Sequence, residues 1–395
     1  MRPDVVEADR RFAVRRAAAG WQHAGAVTPE ARREIDTLYD DDRVRTGGWF
    51  RVLLFVFTWV AAAGAFGLLE LVLAAHEWPA GVWTVVLLLL AAAAAVVTEH
   101  LQGARRLRRF GVEEATGWMA VGCGVGAAVA LTSGVLDAGE RTTVVVLGAA
   151  LAAAGAASAL RWGLPLAGAA AAAGLFAACV PLPGGRWWWI VLALPLAWAA
   201  ERVAESPAAA PSHRVRAREA WWVALAALYM AVHVATAVDV LGGDLAPAIA
   251  SRGGDVLPEA AAWAAMLLLP ALLIASGLAT RRRPRLDAGL LALAATAATA
   301  VAELAPRPLW PVLLGAGLLV VGLALLLRRA FRRAPGGALR GWTAEPLFDD
   351  ADRAAALELA GVATALSPAA REQPDEAGFE GRGGEFGGGG ASTGY

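Results

Sequence analysis

Residues 50–74 read FRVLLFVFTWVAAAGAFGLLELVLA, an apolar run broken only by Arg51 near its start and Glu70 near its end. About 20 such residues in a helix cross ~30 Å of hydrocarbon, and only a helix or a closed barrel satisfies its own backbone there. The run predicts a membrane-spanning helix, and it sets the reading of the rest of the chain.

The same pattern recurs outward from it. The stretches 81–98, 117–136, 142–160, 162–180, 187–204, 220–241, 259–280, 286–305 and 309–327 are each long and apolar, so about ten spans are expected. Only Arg161 lies between the fourth and fifth runs, with Trp162 and Gly163 following at once, which requires a tight turn. Composition agrees. Of 395 residues 58% are hydrophobic and 18% charged, and mean hydropathy is +0.52. Soluble domains have about 45–50% apolar and about 25% charged residues. A disordered chain, a collagen and a disulfide scaffold are excluded, and a soluble enzyme of this length is a poor fit. The expected class is an all-α polytopic transmembrane helix bundle with short helical cytosolic ends. Its expected parts are a cytosolic hairpin (1–48), a transmembrane domain (49–330) and a cytosolic tail (331–395).

Arginine placement orients the bundle, because basic residues stay on the cytosolic side. All 35 basic residues are Arg. With the N-terminus inside, the inner connections hold Arg105, Arg106, Arg108 and Arg109; Arg161; Arg202, Arg214, Arg216 and Arg218; Arg281, Arg282, Arg283 and Arg285; and Arg328, Arg329, Arg332 and Arg333. The outer connections hold one each: Arg141, Arg186, Arg252 and Arg307. The expected location is the bacterial inner membrane, multi-pass, with both termini cytoplasmic. Indoles fit this frame: Trp49, Trp118, Trp221 and Trp222 begin spans at the inner boundary, and Trp78, Trp83, Trp187, Trp188, Trp189 and Trp310 mark outer ends. A Trp-lined ligand cage at 187–189 is the alternative to interfacial anchoring. The first 48 residues have no apolar core and balance nine Arg against nine acids, so the first span itself is the expected insertion signal.

The N-terminal segment predicts two short helices. Residues 5–21 carry Val14, Ala17, Ala18 and Trp21 on one face. Gly25 breaks the run. Thr28-Pro29-Glu30 then supplies an N-cap, a first-turn Pro and an acid, followed by an Ala31, Ile35, Leu38, Tyr39 stripe. A hairpin this small buries too little to stand alone. It should pack on the membrane domain, on headgroups or on another copy.

The order Trp21-x-x-Ala24-Gly25-Ala26-Val27-Thr28-Pro29-Glu30, a charged helix and then at once a long apolar run, resembles the start of the bacterial membrane proteins of domain-of-unknown-function family 2157. The resemblance covers residues 10–100 and implies an integral membrane protein with no assigned catalytic residue. After the last run, residues 334–395 hold four Arg against ten acids. A helix is expected from Phe348 with Ala355, Leu359, Val362 and Leu366 as its apolar face, stopped by Pro368. The Gly-rich ending Phe379–Tyr395 cannot bury a core and is expected to be disordered. It is similar to the endings of some membrane-anchored proteins bearing the TPM domain.

Ionisable groups inside apolar runs are the candidate polar site, because burying them in lipid is costly. They are His233, Tyr229, Asp239, Glu70 and Glu303. His233 is the deepest, with Tyr229 one turn earlier on the same face; a proton relay or a hydrogen bond to a neighbouring helix are the two readings. Glu70, Asp239 and Glu303 fall near outer ends, where they can reach headgroup water. Gly122, Gly124 and Gly126 suggest close helix packing rather than a phosphate loop, since no Lys follows. Pro165, Pro195, Pro270 and Pro311 fall in or near spans, where a broken helix can line a substrate site. The histidines and the two cysteines, Cys123 and Cys179, show no metal-ligand spacing, so neither a metal nor a cofactor is expected.

The expected function is a structural or regulatory membrane protein. Its expected partners are the lipid bilayer, and other proteins met through residues 1–48 and 334–395, with no nucleic acid. A transporter or flippase of a small or lipid-like molecule is the first alternative. A membrane-embedded enzyme is the second, and it would need a cluster of His, Asp or Ser at one face.

Overall fold

The computed structural model describes residues 2–23, 25–74, 78–233 and 259–304, together with Gly322, Leu325, Arg329 and two short strands further on. The run 309–327 lies almost wholly outside the described residues, as do Asp239, the helix expected from Phe348 and the Gly-rich ending. Two units follow one another, residues 1–303 and 304–395. In the second, β1 (Ala338–Leu339) pairs antiparallel with β2 (Trp342–Thr343).

The first unit is helical. Its elements are α1 (Pro3–His23), α2 (Pro29–Leu38), α3 (Gly48–Ala74), α4 (Ala80–Gly103), α5 (Val112–Val129), α6 (Glu140–Arg161), α7 (Ala167–Cys179), α8 (Gly185–Glu205), α9 (Pro211–Val232), α10 (Glu259–Thr280) and α11 (Arg283–Leu304). A π-turn, Ala130–Val135, prolongs α5. Five of these helices are long and apolar enough to cross a membrane: α3, α4, α5 with its π-turn, α6 and α10. A count of about ten spans is therefore not supported.

The physical reasons lie in the other runs. The fifth shortens to the 13 residues of α7 because residues 162–166 form a turn, with Gly163 and Leu166 both in the left-handed region. Four indoles and the Glu201-Arg202 pair dilute α8. α9 begins nine residues before its apolar run and spends those roughly two and a half turns on Arg214, Arg216, Arg218 and Glu219. α11 opens with Arg283, Arg285 and Asp287.

Neighbours in sequence are neighbours in space, as short connections require. α4 runs along α5, α6 along α7, and α8 along α9, with α7 also against α9. The largest buried cluster sits between α7, α8 and α9, around Phe176, Trp221, Ala224 and Leu228. Helices α6 and α7 approach one another closely along their length. A Cβ added to Gly148 would meet the backbone N of Ala178 at 2.3 Å, and one added to Gly174 would meet that of Ala152 at 2.4 Å. Gly155 faces Ala171 in the same way. Small residues let backbones touch. The expectation for the third run is corrected: a Cβ at Gly122 would meet nothing within 4 Å, and Gly126 only touches Leu87.

The hairpin packs on the bundle with a different face from the one expected. α1 buries Val5, Ala8, Asp9 and Ala18, whereas Trp21 is 50% exposed. Thr28 does cap α2, accepting from the Ala31 amide at 3.3 Å. The stripe on α2 stays open, with Leu38 and Tyr39 exposed. The chain then runs beside the α4–α5 connection: the Val44 amide donates to the Arg106 carbonyl at 3.1 Å, and the Arg108 amide to that of Val44 at 3.0 Å.

Candidate functional site

The expected intramembrane site divides. Tyr229 and His233 come together at the end of α9, their rings 5.5 Å apart and edge to face. Helix α9 stops at Val232, and His233 already has extended backbone geometry. Glu70 lies exposed on α3. Glu303 lies in α11, its side chain outside the described part, and Asp239 is outside it altogether.

What Tyr229 and His233 face is α11. Tyr229 Oη lies 3.0 Å from Thr296 Oγ1, and His233 Nε2 2.8 Å from Thr299 Oγ1. Thr296 hands its proton to main-chain carbonyls, Ala292 on its own helix at 2.9 Å and Met266 on α10 at 3.0 Å. A hydroxyl has one proton, so Tyr229 is the donor to Thr296. Thr299 Oγ1 also reaches the Ala295 carbonyl on its own helix, at 3.0 Å. The chain of groups ties α9, α10 and α11 together where Thr296 is buried. Its chemistry is that of a polar clamp between helices.

The indoles at 187–189 do not converge. Trp187 and Trp188 are exposed, while Trp189 donates to the Phe176 carbonyl at 2.9 Å and packs on that ring.

A second polar centre forms where the hairpin meets the inner connections. Asp9 on α1 accepts from Arg108 at both oxygens and lies 3.6 Å from Arg45. Arg108 also donates to the Trp162 carbonyl at 2.7 Å. Arg45 pairs with Asp41 and lies over the Phe12 ring at 4.2 Å. Arg43 reaches Asp4 and the carbonyl of Gln102. Beside them Arg51 pairs with Glu114 through both oxygens, Nε to Oε2 at 2.7 Å. Arg161 and the Trp162 indole share Glu99, and Arg216 donates to the Leu164 carbonyl while pairing with Glu219 at 2.8 Å. The basic connections after α4 and α6 and the basic start of α9 are thereby brought to one end of the bundle.

Charge crowding shows in the titration of this end. Burial lowers Arg109 below the usual guanidinium range against the pull of Asp9, and the neighbouring Arg108, Arg51 and Arg45 add to the lowering. At Asp4 burial pushes the carboxyl up, but the hydrogen bond from Arg43 and the charges of Arg2 and Arg43 outweigh it and hold it below the ordinary range.

This second centre is missing from the sequence-based candidates. Its signal was the alternation of acids in 4–9 and 40–42 with Arg in 43–45 and 105–109, which reads as a solvated surface until the partners are placed. Among the described residues no group of three or more His, Cys, Asp or Glu could hold a metal ion. No known protein family, curated protein or solved structure matches the chain.

Proposed function

We propose that the chain is a structural or regulatory protein of the bacterial inner membrane, with both ends in the cytosol and partner-binding surfaces on those ends. The observation that carries this reading is the clamp of α1 on the inner connections through Asp9 and Arg108. A hairpin held this firmly presents α2 outward, with the open Leu38 and Tyr39 stripe as a surface for another protein. The resemblance to domain-of-unknown-function family 2157 belongs to the same proposal, as do the ten-span topology and the likeness of the Gly-rich ending to TPM-domain proteins. The gathering of basic connections at one end supports alternate crossing, because each such connection must return to the same side.

A transporter or flippase is the second reading, favoured by the Tyr229–Thr296 and His233–Thr299 pairs and by Pro195 and Pro270 inside helices. The clefts at the arginine-rich end are lined by neither Tyr229 nor His233, so a substrate path past that pair would be separate from them.

Two measurements test the proposal. In a background with Cys123 and Cys179 replaced by Ala, single cysteines at His23, Arg105 and Asp137 are reacted with an impermeant maleimide in intact cells and in lysed ones. The first two should react only after lysis and the third in both; labelling of position 105 in intact cells overturns the topology. Affinity purification of the whole chain beside a form lacking 334–395, and one with Leu38→Ser/Tyr39→Ser, should show partners lost from the altered forms. Identical partner sets from all three would remove the partner-binding role.

A further inference from the structure

The ends of α8, α9, α10 and α11 enclose a cleft of about 200 Å³, lined by Glu201, Glu205, Arg218, Trp221 and the turn at 281–285. A second hollow of about 230 Å³ shares Glu201, Glu205, Arg282 and Arg285 and adds Trp198 and Arg202. We infer that this cleft binds a phosphate-bearing anion, and that an anionic phospholipid headgroup is its source.

The charge of the lining carries the first half. Leaving aside Arg281 and Arg283 in the turn, four guanidiniums, from Arg202, Arg218, Arg282 and Arg285, line it with the two carboxylates Glu201 and Glu205. Those carboxylates are committed. Glu201 takes Arg285 in a two-pronged bond, 2.6 Å at each oxygen, and Arg282 at 3.0 Å. Glu205 takes the other nitrogen of Arg282 at 2.7 Å. A third acid, Asp287, stands beside Arg283 at 3.7 Å, outside the lining. The lining therefore carries a positive excess in a recess of restricted solvent access, where an anion is held more strongly than on an open surface.

The fork geometry carries the chemistry. Arg285 spends Nε and Nη2 on Glu201, so its Nη1 edge still has N–H groups to give. The carboxylates hold Arg282 and Arg285 in place, and planar forks of this kind match phosphate oxygens. Arg202 lies over the Trp198 ring, 5.4 Å from its centre, which fixes its direction. The volume suffices for a phosphate group and several waters, a water taking about 30 Å³.

The apolar surroundings carry the source. Trp198 and Leu194, one and two turns before Arg202 on α8, are 62% and 57% exposed. They continue the wall of the cleft as an apolar strip on which acyl chains can lie, with the indole at headgroup depth. The phosphate chemistry rests on the cleft alone. The lipid source rests on the membrane reading of the preceding subsection.

The test is a binding titration of the purified full chain in detergent, read by native mass spectrometry and by the unfolding midpoint. The probes are dioleoyl-phosphatidylglycerol, dioleoyl-phosphatidylcholine and inorganic phosphate. The variant Arg202→Gln/Arg218→Gln removes two guanidiniums outside the Glu201 and Glu205 pairs. Arg202→Lys/Arg218→Lys keeps the charge without the forks, and Arg105→Gln is a control on another connection. Phosphatidylglycerol should bind about tenfold more tightly than phosphatidylcholine, and the double Gln variant should lose that preference. The double Lys variant should fall between, and Arg105→Gln should match the parent. Saturation by inorganic phosphate, with the same sensitivity to the variants, would make the source a soluble phosphate and keep the site. An undiminished phosphatidylglycerol preference in the double Gln variant, its ligand-free midpoint matching the parent, overturns the proposal. So does the failure of both phosphate probes to bind more tightly than phosphatidylcholine. Outward labelling of position 105 would remove the cytosolic placement without touching either result.

Discussion

Asp9 and Arg108 form a buried two-pronged pair across 99 residues of chain, Nη2 to Oδ2 at 2.6 Å and Nε to Oδ1 at 3.2 Å. Both side chains are almost out of water, 2% and 6% exposed. Removing one partner leaves a buried charge alone, at a cost of about 3–5 kcal/mol, whereas replacing both can be close to neutral. Asp9→Ala should lower the unfolding midpoint and open residues 10–33 to trypsin. Asp9→Leu/Arg108→Met should recover much of the loss. If Asp9→Ala leaves the tryptic pattern of the hairpin unchanged, the clamp is not what holds α1.

Helix contact makes a sharper forecast about glycines. At Gly148 a methyl group meets the backbone of Ala178 and Gly174, which cannot step aside as a side chain would. Gly148→Ala should therefore destabilise the fold by about 1–3 kcal/mol through overpacking. Gly122→Ala, which meets nothing within 4 Å, should be neutral or gain up to about 1 kcal/mol of helix propensity. Unfolding of both variants in mixed micelles compares them, and equal midpoints would contradict the packing described between α6 and α7.

Those glycines also show where the sequence stops being legible. Apolar runs locate helices well, because lipid forces the backbone to bond to itself and length is readable residue by residue. The first four runs match α3 to α6 for that reason. Gly122 and Gly126 have the spacing of a packing motif and Gly148 and Gly155 do not, yet the second pair makes the contact. Which face meets a neighbour depends on the partner helix, not on spacing within one. The same limit applies to the polar groups. Tyr229 and His233 are visible as misfits in an apolar run, but Thr296 and Thr299, 67 and 66 residues away, carry no mark of their role. Asp9 looks like any solvated acid on a charged helix until Arg108 is placed against it.

Acid should loosen the first turn of α1. The carboxyl of Asp4 is held below its ordinary range in the folded chain, so folding favours its ionised form. The stability this supplies is present above the ordinary aspartate pKa and is lost as pH falls through the lowered, folded-state value. Asp4 is about half exposed, so solvent screens the effect and it is small. Asp4→Asn should be less stable than the parent at pH 7, and the gap should close as the solution is taken down past the usual aspartate range. A gap that widens on acidification would reverse the sign argued here.

The clamp between α9, α10 and α11 separates two kinds of loss. Tyr229→Phe removes a donor and leaves Thr296 bonded to the carbonyls of Ala292 and Met266, so it should cost about 0.5–1.5 kcal/mol. Thr296→Val keeps the shape but takes away the partner of the Tyr229 hydroxyl, and should cost about 1–3 kcal/mol. Thr296 is 2% exposed, so water offers little compensation. Combining the substitutions measures how far the Tyr229 hydroxyl depends on Thr296. Tyr229→Phe in the Thr296→Val background removes a hydroxyl that has lost its partner, and the double variant should be more stable than Thr296→Val alone. Chemical denaturation of the four forms gives this difference, and additive losses would mean that the hydroxyl of Tyr229 finds its partner elsewhere.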